Sequence, residues 1–209
     1  MPFAQKMETD TIGCLEFEGG NVLGVLFPWF QSGVWVLLPA ESTVGLLLTQ
    51  EWGLDPESLD EKLGTVFLNG TPLDDMESAF LCDGDVLALS GPMPGLAGAI
   101  LRRNSPLAVL RHGCKTTSFE TSPKASGPIL VRVKLFNRLI EDLGPILLRK
   151  GILLEKDDAL QCLRTWKYSE RAKPTRVWLN REEVSFENLE LSPIHRCSYV
   201  EFRLADGSA

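Results

Sequence analysis

No stretch of about 18 consecutive apolar residues occurs in the chain, so no membrane-spanning helix is expected and a membrane is excluded as a partner. The first twenty residues carry Glu8, Asp10, Glu16 and Glu18. They lack the basic start and apolar centre of a secretory signal. No two cysteines stand at CxxC spacing, and the five (Cys14, Cys82, Cys114, Cys162, Cys197) are odd in number. That argues against a disulfide framework and for a reducing, cytoplasmic setting. A polybasic run is missing too, which removes nucleic acid as an expected partner. The one glycine-rich stretch, residues 91–98, lacks the lysine and the strand–helix context of a phosphate loop. No cofactor is expected.

What is present is ordinary for a folded protein: 44% hydrophobic and 23% charged residues over 209 positions, with a mean hydropathy near zero. The length suits one large domain or two small ones, at about 150 residues per domain. The net charge of −7 hides an imbalance. Residues 1–105 hold four cations against fifteen carboxylates, whereas the remainder holds 17 cations against 13 carboxylates. Such a split suggests two modules, or an acidic and a basic face that meet different partners or each other. Between the halves, KTTSFETSPKASGP (residues 115–128) has Phe119 as its one large apolar residue and reads as a linker.

The same order of elements is expected on both sides of it. In the first half, residues 21–27 (NVLGVLF) and 34–38 (VWVLL) read as a hairpin about Gln31-Ser32-Gly33. Glu41-Ser42-Thr43 offers cap chemistry for a helix through Trp52, with Val44, Leu47, Leu48 and Trp52 on one stripe. TVFL (65–68) reads as a strand, Asn69-Gly70 as a turn, Asp83-Gly84-Asp85 as a second turn, and 86–89 as a closing strand. In the second half, 129–136 (ILVRVKLF) and 146–154 read as strands, 157–168 as a helix, and 177–179 and 199–204 as strands. The phrase VFLNG (66–70) answers VWLNR (177–181), and an internal duplication would pair Phe67 with Trp178 and Trp52 with Trp166. The expected fold class is α+β: two tandem modules, 1–114 and 128–209, joined by a linker at 115–127. Each is a mixed sheet crossed by one helix, and the small size of each favours packing the two together.

This order, with TVFLNGTPLDD followed by CDGDVLALSGPMPG, resembles the β-grasp, ubiquitin-like sulfur carriers: the small subunit of molybdopterin synthase and the thiamine sulfur carrier, the MoaD/ThiS family. The resemblance covers about residues 21–99 and, more faintly, 129–205. It implies a last strand running into a proline-containing tail whose terminal glycine is adenylated and then sulfurated. It also implies a protein partner, either an adenylating activating enzyme or a cofactor-biosynthesis enzyme. The first tail is internal here, and the second half ends LADGSA with no Gly-Gly. The expectation is therefore a non-catalytic interaction or adaptor protein derived from sulfur carriers, linked to molybdenum- or tungsten-cofactor biosynthesis. An alternative is a carrier activated by cleavage near Gly98.

The partner-binding residues implied by the resemblance are Asp83, Asp85, Gly91, Pro92, Met93, Pro94, Gly95 and Gly98. Acidic groups there would steer a basic partner surface, or the basic second half itself. Residues 95–110 read either as a segment docking the first module on the second or as a degenerate carrier tail. Trp29 and Phe30 follow Pro28 in a turn, where they are either core or an aromatic patch. His112 with Cys114 and His195 with Cys197 are both His-x-Cys. On strands each pair would share a face, which suits a tetrahedral metal site, a Cys–His nucleophile, or chance. These pairs carry the second alternative, a metal-dependent enzyme. Asp74-Asp75 and Asp157-Asp158 read as turn and helix-start carboxylates.

Overall fold

The computed structural model describes residues 12–111 and 127–205, apart from 170–171, 188 and 190–192. His112, Cys114 and nearly all of the expected linker lie outside the described residues. The fold is mixed α+β.

The chain begins with β1 (Ile12–Glu18), where Leu15 and Phe17 point into the core and Cys14, Glu16 and Glu18 point away. The segment expected as a strand at 21–27 is instead part of helix α1 (Val22–Ser32). Asn21 caps it by accepting from the Gly24 amide at 2.9 Å, and Val22, Leu26 and Phe30 form one buried stripe at four-residue spacing. Pro28 sits inside that helix. After Gly33 (φ 113) the chain extends into β2 (Val34–Leu38). Thr43 caps α2 (Val44–Leu46) as expected, and the helix runs on as a π-helical turn, Leu47–Glu51. A short helix α3 (Pro56–Lys62) leads to β3 (Thr65–Leu68), β4 (Thr71–Pro72) and β5 (Val86–Ser90). Helix α4 (Gly95–Leu101) and a 3-10 turn (Pro106–Leu110) follow.

The second half repeats the pattern. It runs β6 (Ile129–Phe136), α5 (Leu139–Lys150), β7 (Ile152–Glu155), α6 (Lys156–Lys167), β8 (Arg176–Leu179), β9 (Glu182–Val184), a 3-10 turn (Ile194–Arg196) and β10 (Tyr199–Leu204). The single strand expected at 146–154 is thus the end of α5 plus β7, separated by Gly151 at φ 95. Both long helices after a first strand contain a proline, Pro28 and Pro145, and both end at a glycine with positive φ.

The strands form one ten-stranded mixed sheet in the order β4-β3-β5-β6-β2-β7-β10-β1-β8-β9. The halves are interleaved within it. β6, from the second half, lies antiparallel to β2 and parallel to β5 of the first. β1, from the first half, lies parallel to β10 and antiparallel to β8 of the second. Strands from before and after the expected linker at 115–127 thus alternate within one sheet.

The order reads alike outward from the β2–β7 junction, where Trp35 pairs with Leu153. Two asparagines mark the correspondence. Asn69 (φ 53) donates its amide to the Val86 carbonyl at 2.8 Å and accepts from the Val86 amide at 2.9 Å. Asn180 (φ 52) makes the same two bonds with Cys14, at 2.8 and 2.9 Å. β1 thus occupies in the second block the place that β5 holds in the first. Phe67 opposite Ala88 and Trp178 opposite Glu16 are then equivalent pairs.

Strand residues on one face join the helices in a single large core. Trp52 and Trp166 belong to it, at 3% and 0% exposure. Trp178 is half-buried on the other face under the Arg176 guanidinium, 4.8 Å from its ring. A smaller cluster on that face groups Trp35, Leu130, Leu153 and Tyr199 at the junction. Pro72 sits on one sheet edge and exposed Glu182 and Glu183 on the other, which discourages strand addition at either.

Candidate functional site

β5 ends at Ser90, and the segment after it holds most of the expected partner-binding residues. Gly91 is buried; Pro92, Pro94 and Gly95 are exposed, and Met93 is half-buried. The chain does not extend away from the body. It turns at Gly95 (φ 79) into α4, and Gly98 packs so closely on the Met93 backbone that a Cβ there would overlap the Met93 carbonyl. The Arg103 amide donates to the Gly64 carbonyl at 2.9 Å.

Arg111 closes the segment into an arm. Its guanidinium donates from Nε to the Ile100 carbonyl at 2.8 Å, from Nη2 to the Arg102 carbonyl, and from Nη1 to Asp74 at 2.7 Å. These carbonyls are orphaned at the end of α4, where a cation is favoured. The other Asp74 oxygen accepts from the Asn104 amide at 3.0 Å. Asp74 is therefore half of a clamp, a role beyond the turn carboxylate expected from sequence.

The clamped arm exposes apolar side chains. Leu96 is 68% and Val109 72% exposed, with Leu110 and Leu107 beside them in sequence also open to solvent. Buried Gly91 lies against Lys62, and Pro92 against Gly64, both in the first half.

Asp83 and Asp85 are half-buried and held by backbone and side-chain partners. Asp83 accepts from the Leu130 amide at 2.9 Å, tying the turn to the start of β6. Asp85 accepts from the Cys82 amide at 2.7 Å and from Asn69 Nδ2 at 2.8 Å, while its carbonyl accepts from the Arg132 amide. The DGD turn is thus the joint through which the two halves exchange β6.

Phe30 is fully buried, so it forms no exposed patch with Trp29. Trp29 is half-buried and lines, with Val25 and Pro28 of α1 and Asp158, Gln161 and Thr165 of α6, an open groove of about 770 Å³. Asp158 has its carboxyl pushed above the usual range by burial, then by Glu155 and Asp157, against the pull of Arg132.

His195 sits on a 3-10 turn, not a strand, and is exposed, whereas Cys197 is buried with its Sγ donating to the Pro193 carbonyl. The two side chains do not share a face. Among the described residues no group of three or more His, Cys, Asp or Glu side chains could hold a metal ion.

The thiols with resolved shifts are held away from the nucleophilic form. Burial, followed by Glu201 and Glu16, pushes Cys14 up to about 12, and burial followed by Asp158 does the same to Cys162. Burial also raises Cys82 and Cys197. Unfolded thiols ionise near 9, so above that pH the unfolded chain sheds protons that the native chain keeps. Their stabilisation is therefore full below pH 9 and lost as pH climbs through about 12. Urea unfolding between pH 8 and 11 should show this alkaline decline, and Cys162→Ala should flatten part of it. An unchanged slope in that variant contradicts the assignment.

No helix among the described residues is long and apolar enough to cross a membrane. No family model matches the chain, and no match is found among curated proteins or solved structures.

Proposed function

We propose that the chain is a duplicated β-grasp scaffold related to the MoaD/ThiS sulfur carriers and serves as a non-catalytic interaction protein. The observation that carries this reading is the arm after β5. A carrier tail has to end in a free glycine that reaches into an enzyme. Here the corresponding residues are wound into α4 and clamped by Arg111 and Asp74. The same arm presents Leu96 and Val109 to solvent, and contiguous exposed apolar surface marks protein contact sites. Residues of α2 with its π-helical continuation, and of α6, lie in the core beside the mixed sheet, which supports a β-grasp reading, and each half adds a further helix, α1 or α5. The partner is a protein of the carrier pathways, an adenylating or molybdenum- or tungsten-cofactor-assembling enzyme, and its setting is cytoplasmic.

The double variant Leu96→Glu/Val109→Glu tests it. Both side chains already face water, so the thermal midpoint should move little, within about 0.5 kcal/mol per site. Binding to the wild-type chain's partner in its native lysate should fall at least tenfold. Capture of the same partners at the same level by the folded variant would contradict the proposal. The carrier alternative requires cleavage after Gly98, which would unwind α4.

A further inference from the structure

The groove between α1 and α6 has walls set by helical spacing. Asn21, Val25, Pro28 and Ser32 share one face of α1, and Asp158, Gln161 and Thr165 share one face of α6. Its volume of about 770 Å³ lies within the range of small-molecule sites, about 300–1,000 Å³. Gly20, just before α1, packs on the Ala172 carbonyl beyond the end of α6. Gly33, just after α1, packs on Arg132, which also acts on Asp158 at the start of α6. The two helices thus run in opposite directions, and the end of α1 meets the start of α6.

The charge in the groove is of one sign. Among the described residues that line it, Asp158 alone is ionisable. It is half-buried, and its carboxylate has no hydrogen bond or ion pair among the described residues. Arg132 attracts it from a distance but lies over the Trp35 ring, 5.7 Å from the centroid. Glu155 and Asp157 repel it, and burial adds to their push against ionisation. The start of the α6 dipole offsets part of this. The end of the α1 dipole, with no basic residue in its last turn, adds to it.

Trp29 supplies the second feature. Its indole packs on the core yet stays half-open where it lines the groove. Among the described residues no ring or cation covers it, and its Nε1 has no acceptor. An indole face and an unpaired carboxylate both favour a cation. An anion would face Asp158 with no lining cation to receive it. A neutral molecule would leave the half-buried charge unpaired. Val25 and Pro28 offer apolar wall to a hydrocarbon body.

We propose that the groove between α1 and α6 binds a small organic monocation, an ammonium group on an apolar body, with Asp158 as counter-ion and Trp29 as the aromatic wall. This site is separate from the arm and does not depend on the arm's role.

Phenethylammonium, phenethyl alcohol and hydrocinnamate are the probes, titrated at about pH 7 into the full chain labelled with nitrogen-15. The Trp29 indole resonance, assigned by its disappearance in Trp29→Phe, is the reporter. The indoles of Trp35, Trp52 and Trp178, which do not line the groove, serve as controls. Phenethylammonium should shift the Trp29 indole and saturate, with the alcohol and the carboxylate at least tenfold weaker. Asp158→Asn keeps the shape and removes the charge. It should weaken phenethylammonium about tenfold and leave the alcohol unchanged. Its thermal midpoint, measured alongside, separates loss of the charge from loss of the fold; if the fold is lost, the ranking of the three probes on the wild-type chain decides alone. The proposal is overturned if the Trp29 indole does not respond to phenethylammonium, or if the three probes bind equally. It is overturned too if the control indoles move alike with Trp29, or if folded Asp158→Asn binds phenethylammonium as the wild type does.

Discussion

Replacing Phe17 by alanine should cost about 4 kcal/mol and lower the thermal midpoint by roughly 10 °C, although the residue lies near the start of the chain. Its ring is fully buried. It meets Trp166 of α6 at 4.7 Å and Phe202 of β10 at 5.6 Å between centroids, and Trp166 in turn meets Phe186 at 5.2 Å. This aromatic group is the core of the second block, and β1 supplies its central member. The damage should therefore appear as lost near-ultraviolet signal from Trp166. Backbone protection should fall in β8 and β10, the strands flanking β1. A loss below about 1.5 kcal/mol, or one confined to the first half, would contradict the placement of β1.

The second large effect concerns the halves as separate pieces. A fragment 1–111 lacks β6, which lies between β2 and β5 and brings Val131, Val133 and Leu135 to the core. A fragment 127–209 lacks β1 and with it Leu15 and Phe17. Each piece would be left with unsatisfied strand edges and an opened core. Neither should give a cooperative urea transition alone, and mixing the two should restore one. Two independent cooperative transitions would mean that the halves are self-sufficient tandem domains and that the interleaving is wrong.

That exchange could not be read from the sequence, because alternation fixes which face a strand buries and leaves open which neighbour it takes. The local elements were legible where period and punctuation agreed. TVFL with Asn69-Gly70, the DGD turn before β5, ILVRVKLF, and the acidic start of α6 were all expected close to where they stand. They were missed where punctuation misled. Pro28 inside α1 and Pro145 inside α5 hide two helices, although Val22, Leu26 and Phe30 carry the four-residue spacing. In β1, Leu15 and Phe17 alternate with Glu16 and Glu18, a strand period that the sequence carries ahead of its first expected element.

The site was half legible. The position of the tail after β5 follows from the order of motifs. Its clamp does not, since Arg111 and Asp74 are 37 residues apart and meet only in the folded chain. Asp83 and Asp85 were visible as a turn, but the bonds from the Leu130 and Cys82 amides that engage their carboxylates belong to the tertiary structure.

The intact mass of the chain taken from its native cell tests the interaction-protein reading most directly. The arm should be uncut between Gly98 and Ala99, and no glycine should carry an adenylate or a thiocarboxylate. A species ending at Gly98, or one bearing sulfur at that carboxylate, would show that α4 is removed to free a working carrier tail.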